Sequence, residues 1–427
     1  VIDLPTVTSA DRVERLRVLD RRVVESCRGI RVLGALSWSP EVIEDFLDAH
    51  RHGRRTLPAA PVVPVDHRRP RRELAAVKAG IDSGDPIGRY LDETAGSYAL
   101  AARMLEVPGT KEFTEISASL YGRPDDRLPG SERTHLAAAD ELLAQTQDLA
   151  ELGLGGAPEF VHSAEVAREM FQARIDGFFG PGTVEVEIDP DLASKAAAGS
   201  KRLRIRGRTG FSARDIEQLV QHEAFVHSAT ALNGRAQPLL SAMSLGAPRT
   251  TLTQEGLASL AELVTRTIDV GRLRRIALRI RAIHLALEGA DFLDVFEFFL
   301  EAGQSEDESV RSAMRVFRGG DVRGRHVFTK DVVYLQGLFA VHTFLRKALT
   351  SKRPELIAWS FAGRLHLADV FLLEEELASG LVAGPRYLPP WARDLPALGA
   401  YLAFARLAYR IDEEGVALDG ILPLADF

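Results

Sequence analysis

Apolar residues recur at helical spacing over most of the chain, and two short stretches alternate instead. Ser9 to His50 reads as two helices, with Val13, Leu16, Leu19 and Val23 on the first and Val42, Ile43 and Phe46 on the second. A second helical block runs from about Arg72 to Glu106. Phe113 to Tyr121 follows, with a turn at Gly122-Arg123-Pro124. His135 to Leu152 is helical again and ends at Gly153, Gly155 and Gly156, a natural joint. Thr183 to Ile188 and Lys201 to Arg206 then alternate in the manner of half-buried strands, and are expected to share a small sheet. Ser212-Ala213-Arg214-Asp215 is close to a capping box, so the next helix should begin near Ala213 and stop near Asn233-Gly234. From Gln254 onward the pattern is almost wholly helical, clearest at Arg272 to Ile283 and Phe292 to Leu300. Leu388-Pro389-Pro390-Trp391 makes a rigid turn before a last helix near Ala397 to Arg410.

The expected fold is α+β and predominantly helical, with the small sheet beside the helix that starts near Ala213. It divides into a helical N-terminal part, residues 1–155, and a second part, residues 156–427, unless the two are one integrated domain. The 427 residues, 46% of them hydrophobic and 26% charged, suffice for one large or two ordinary cores. No apolar run approaches the roughly 20 residues of a membrane span, and Val1-Ile2-Asp3-Leu4-Pro5 lacks a charged-then-apolar signal pattern. Because the first residue is Val rather than Met, a few residues are expected to have been removed or left out.

Charge and cysteine content narrow the field. The single cysteine, Cys27, lies in an amphipathic pattern, so no internal disulfide forms and a reducing, cytoplasmic setting is expected. It reads as a buried thiol, since no sequence feature supplies it with a base. A net charge of -7 and a pI near 5.9 argue against a nucleic-acid partner. Arg51, Arg54, Arg55, Arg68, Arg69, Arg71 and Arg72, broken by four prolines and without interleaved aromatics, read as an exposed, solvated loop. An acidic protein or peptide tail is the partner such a loop would suit. Arg272, Arg274, Arg275, Arg279 and Arg281 are likewise expected to face mostly solvent.

The chemistry concentrates in His222-Glu223-Ala224-Phe225-Val226-His227. The zincin motif His-Glu-x-x-His sets two imidazoles one turn apart on one helix face, with the Glu beside them as general base. Here one residue is added. At about 100° per residue, the two histidines would stand roughly 140° apart on an ideal α-helix, against roughly 40° for the shorter spacing. Either the pair is accidental, two histidines scattered on an ordinary helix, or the backbone widens between them, or the helix ends just after His227. A π-type turn absorbs one extra residue and occurs mostly at functional sites. Downstream, Gln254-Glu255-Gly256-Leu257-Ala258 places a carboxylate at the start of a new helix, where it serves either as a third metal ligand or as charge complement to the helix N-terminus.

These elements, together with Asn233-Gly234-Arg235-Ala236-Gln237 and Phe328-Thr329-Lys330-Asp331-Val332-Val333-Tyr334-Leu335-Gln336-Gly337, occur in a fixed order. In that order they resemble the bacterial flavohemoglobin expression-modulating QEGLA-motif proteins, which are related to the eukaryotic microtubule-associated tyrosine carboxypeptidase. Similarity to the bacterial group runs from Phe113-Thr114-Glu115-Ile116-Ser117 to Leu388-Pro389-Pro390-Trp391, and to the eukaryotic enzyme it covers the core motifs. The resemblance implies a zincin-like core with one Zn2+ held by His222, His227 and Glu255, and with Glu223 as catalytic carboxylate. Tyr334 is then expected to stabilise the oxyanion, with His326 as the other candidate. A carboxypeptidase must also grip the substrate's terminal carboxylate, and Arg318 and Lys330 are chosen for this from the cations between Phe317 and Lys330. Two functions follow: a zinc peptidase removing C-terminal residues, tyrosine included, from a peptide or protein, or a metal-containing regulatory or scaffold protein. Intact Glu223 favours the first, since a structural site needs no base.

Overall fold

Burying the apolar faces of the helices produces three clusters of buried side chains, and the histidine-bearing helix contributes to two of them. The computed structural model describes residues 9–154, 161–192 and 194–408. The expected joint at Gly155 and Gly156, the segment Val1 to Pro5, and the end of the last helix at Arg410 lie outside the described residues. The largest cluster takes side chains from Leu16 through Leu402, so residues from both sides of the expected 155/156 boundary share one core. A second is aromatic, with Phe46 lying 4.9 Å from Phe292 and 5.0 Å from Phe296 in edge-on geometry.

The third cluster fills the space under a three-stranded sheet, where Phe171, Phe211 and Ile216 meet Leu203 and Ile205. Its strands are β1 (Glu185–Asp189), β2 (Ala196–Ala198) and β3 (Arg202–Arg206), in spatial order β1-β3-β2. β1 runs parallel to β3 with Val186 opposite Leu203, and β2 runs antiparallel with Ala197 opposite Arg204. The two alternating stretches thus form strands as expected. β2, three alanines without alternation, was not legible. It forms the edge of the sheet that lies toward the histidine-bearing helix.

That helix begins at Ala213, opened by the reciprocal capping box of Ser212 and Asp215 (3.0 and 2.8 Å), and ends at Arg235. Its middle is not α-helical. Val220–Ser228 is a π-helix, and the Ala229 N–H donates to the Ala224 carbonyl five residues back. Of the distortions that the spacing left open, a widened turn is the one present.

Two helices hold the opposite wall. Thr251–Val264 crosses Val333–Thr350 at a pair of glycines: a methyl on Gly256 would lie 2.3 Å from the Gly337 carbonyl oxygen, and one on Gly337 2.3 Å from that of Leu252. Only glycine allows this approach. The crossing seats Glu255, one residue earlier, against the π-turn.

Two expectations are overturned. Arg68, Arg69, Arg71 and Arg72 start the helix Arg68–Lys78 rather than lying in a loop. Pro70 is tolerated in its first turn, where N–H groups have no intrahelical partner. Among these loop arginines Arg51, Arg54, Arg55, Arg68, Arg69 and Arg71 each pair with a carboxylate, so the stretch is not a free basic surface. In the helix Val270–Glu288, Arg272 and Arg279 turn inward instead of to solvent, their side chains only 13% and 14% exposed. Among the described residues no helix is long and apolar enough to cross a membrane.

Candidate metal centre

The π-turn brings the two imidazoles together at 84° with ring centroids 4.9 Å apart, and the Thr251–Val264 helix adds Glu255. His222 Nε2 lies 3.4 Å and His227 Nε2 3.8 Å from the same oxygen, Glu255 Oε2, and one ligand atom from each residue falls within 4.8 Å of the others. Tetrahedral bonds of about 2.0 to 2.1 Å place ligand atoms about 3.3 Å apart, so the spacing fits one ion of zinc's size. The donors fit as well. Glu255 Oε2 is buried without a hydrogen-bond partner, which a carboxylate oxygen tolerates when a cation is its partner.

The remaining nitrogens fix which atoms can bind metal. His222 Nδ1 is 2.6 Å from Oε1 of Glu262, a fully buried carboxylate that also accepts from Arg272 Nε and Nη2 at 3.1 Å each. His222 therefore carries its proton on Nδ1 and presents Nε2. His227 Nδ1 faces Gln254 Oε1 at 3.4 Å, and that oxygen also accepts from the Thr230 hydroxyl at 2.8 Å. Glu223 is positioned from the sheet, where the Ala198 N–H of edge strand β2 donates to its Oε2 at 2.9 Å.

Carboxylates dominate the electrostatics around His222. Burial pushes the His222 imidazole down, but the carboxylates of Glu255 and Glu262 outweigh it and raise its pKa to about 10. Burial raises Glu262, yet the Arg272 charge and His222 hold it at about 2. Glu255 is held well below the carboxylate range against its own burial, chiefly by Lys330 and the two histidines.

Lys330 reaches the site, its Nζ donating to Glu255 Oε1 at 3.0 Å while Oε2 faces the imidazoles. The segment that aims it is pinned from the N-terminal part of the chain. Thr114 exchanges hydrogen bonds with the Val327 backbone (3.1 and 2.8 Å), and Ser117 accepts from the Thr329 N–H at 2.9 Å. Arg318 is buried, stacked 5.2 Å from the Phe328 ring centroid, with Nε and Nη2 lacking partners. Tyr334 is a hub for cations, with Lys330, Arg272, Arg279 and Arg315 all within 6 Å of its ring, and its hydroxyl accepts from Arg315 at 3.4 Å. His326 is half-buried in the loop before Lys330.

His227, Gln254, Glu255 and Lys330 line one cleft of about 310 Å³, and Tyr98, Tyr121, Arg364 and Ala198 are among the other residues of its walls. Sequence reading had singled out neither Glu262 nor Arg272 for the site, nor Ala198 nor Arg364. A signal existed for Glu262 alone: it stands seven residues after Glu255, about 20° away on the same helix face.

Comparison with known proteins places the chain in a family. No curated protein matches the chain. The family model of the microtubule-associated tyrosine carboxypeptidase matches residues 44–410, well beyond the core motifs expected to be shared. With more than half of its length covered, the chain belongs to the microtubule-associated tyrosine carboxypeptidase family.

Proposed function

We propose that the chain is a zinc-dependent carboxypeptidase acting on the C-terminal tail of a peptide or protein, with tyrosine among the residues it removes. The observation that carries this is the convergence of His222 Nε2, His227 Nε2 and Glu255 Oε2, with Glu223 on the same π-turn. The family match supports a carboxypeptidase, and Gln254-Glu255-Gly256-Leu257-Ala258 suits the QEGLA-type bacterial branch.

His222, His227 and Glu255 would hold the ion. Zinc in such a site supplies Lewis acidity toward water and a peptide carbonyl. Glu223 takes the attacking water's proton and returns it to the leaving amine, so no covalent intermediate is needed. The Ala198 N–H holds one of its oxygens and leaves the other for this exchange. For the developing oxyanion the proposed donor is Tyr334, whose hydroxyl accepts from Arg315 at 3.4 Å and so keeps its own proton free to donate. Lys330 draws the substrate carboxylate inward, and Arg318 behind it adds positive potential.

Elemental analysis of purified protein tests the metal. About one zinc per chain is expected, retained in Glu223→Gln and lost in the His222→Ala, His227→Ala double variant. Stoichiometric zinc in the double variant would overturn the ligand set.

A further inference from the structure

We propose that Arg364 is the anchor that fixes the substrate's terminal carboxylate, working from the His227 side of the cleft while Lys330 works from the Glu255 side. This rests on the peptidase reading and deepens it. Arg364 lines the cleft, and its Nη2 donates at 3.3 Å to the backbone carbonyl of His227. Its Nε is buried without a partner, and among the described residues no carboxylate lies within ion-pair distance of its guanidinium. Arg318 is unpaired too, but it does not line the cleft, and three further arginines near the site differ from both. Arg272 is paired with Glu262, Arg315 with Asp331, and Arg249 on a neighbouring element with Asp369. An unpaired cation in such surroundings is costly unless an anion arrives to pair with it.

The local backbone holds Arg364 firmly. Asn233 Nδ2 donates to the Phe361 carbonyl at 2.7 Å, and Gln237 Nε2 to that of Ala362 at 2.8 Å. The Arg364 N–H itself donates to the Met243 carbonyl at 2.7 Å. Three anchor points, at Phe361, Ala362 and Arg364, are thus fixed by the helix that carries the histidines and the segment after it. Space is reserved as well, because a methyl on Gly246 would come within 2.8 Å of Arg364 Nη1. A single backbone hydrogen bond to His227 needs no fork of five donors, whereas a carboxylate uses two of them at once.

The test separates binding from turnover. A short fluorescein-labelled peptide ending in tyrosine, prepared as free acid and as C-terminal amide, is titrated by anisotropy into zinc-loaded Glu223→Gln protein. The free acid should bind about ten- to a hundred-fold more tightly than the amide. Adding Arg364→Gln should lower that ratio sharply, leaving only the part that Lys330 supplies, with zinc content unchanged, and Arg364→Lys should restore part of it. Gly246→Ala, which displaces the guanidinium without removing it, should lower the ratio in the same direction and covers the case in which Arg364→Gln does not fold. An unchanged ratio in folded, zinc-loaded Arg364→Gln or Gly246→Ala protein overturns the assignment. Equal binding of acid and amide by the Glu223→Gln parent instead counts against the carboxypeptidase reading itself.

Discussion

Glu262→Gln isolates what the carboxylate behind His222 contributes, because the substitution keeps size and one acceptor oxygen while removing charge. Glu262 has no exposure to solvent, holds His222 Nδ1 at 2.6 Å and closes two 3.1 Å bonds with Arg272. Two losses follow. Arg272 is left as an uncompensated buried cation; breaking such a pair from one side costs about 3 to 5 kcal/mol, and the retained amide oxygen places this case near the lower end. Separately, losing a charged partner behind a metal-binding imidazole lowers metal affinity about ten- to a hundred-fold, or about 1.4 to 2.7 kcal/mol. Urea unfolding of the metal-free protein reads the first, and competition with a chromogenic zinc chelator reads the second. A second substitution, Arg272→Met, should recover part of the stability without recovering zinc affinity, since it removes the stranded charge but not the defect behind His222. Unchanged zinc affinity and unchanged unfolding midpoint in Glu262→Gln would refute the reasoning.

Three other outcomes follow from the geometry. Gly256→Ala must push its helix off Val333–Thr350, so it should cost about 1 to 3 kcal/mol in urea unfolding and weaken zinc binding through Glu255. Ser212→Ala removes the helix cap three turns before His222 and should cost about 1 kcal/mol while leaving zinc affinity unchanged in the same chelator assay. Burial raises the Asp331 pKa, but Arg315 at 2.5 Å and Arg279 outweigh it and hold the carboxyl below its ordinary 3.8. A carboxylate so depressed stabilises the fold above that value and stops doing so as pH falls below it, so unfolding free energy should drop below about pH 3.8 and Asp331→Asn should flatten that drop while lowering stability at neutral pH.

The parts of the site that were legible are those fixed by local geometry. Two histidines five residues apart cannot share a face of an ideal α-helix, so a shared metal required either a widened turn or a helix end there, and Val220–Ser228 is the widened turn. Glu255 was visible as a carboxylate near the head of a helical pattern, although the helix itself starts four residues earlier, at Thr251. What escaped depends on the tertiary path. Ala196–Ala198 has no alternation, and it becomes a strand only because Arg202–Arg206 offers it an edge. Arg272 and Arg279 look like solvated cations on a helix until Glu262 and Asp331 are brought under them. Arg364 is more than a hundred residues from His227, and the motifs that place it, Asn233 and Gln237, act by gripping the Phe361–Ala362 backbone rather than by touching the reaction. The quoted segments Phe113 to Ser117 and Phe328 to Tyr334 have a shared purpose of the same kind, since Thr114 and Ser117 clamp the strand of chain that delivers Lys330.

The central claim is that this chain trims peptides from the C-terminus with Glu223 as base, and mass spectrometry of digests of tyrosine-ended peptides tests it most directly. Zinc-loaded wild-type protein should give products shortened from the C-terminus, and Glu223→Gln, with equal zinc, should leave the peptide whole. Intact peptide in both digests, internal cleavage, or equal trimming by Glu223→Gln would contradict it.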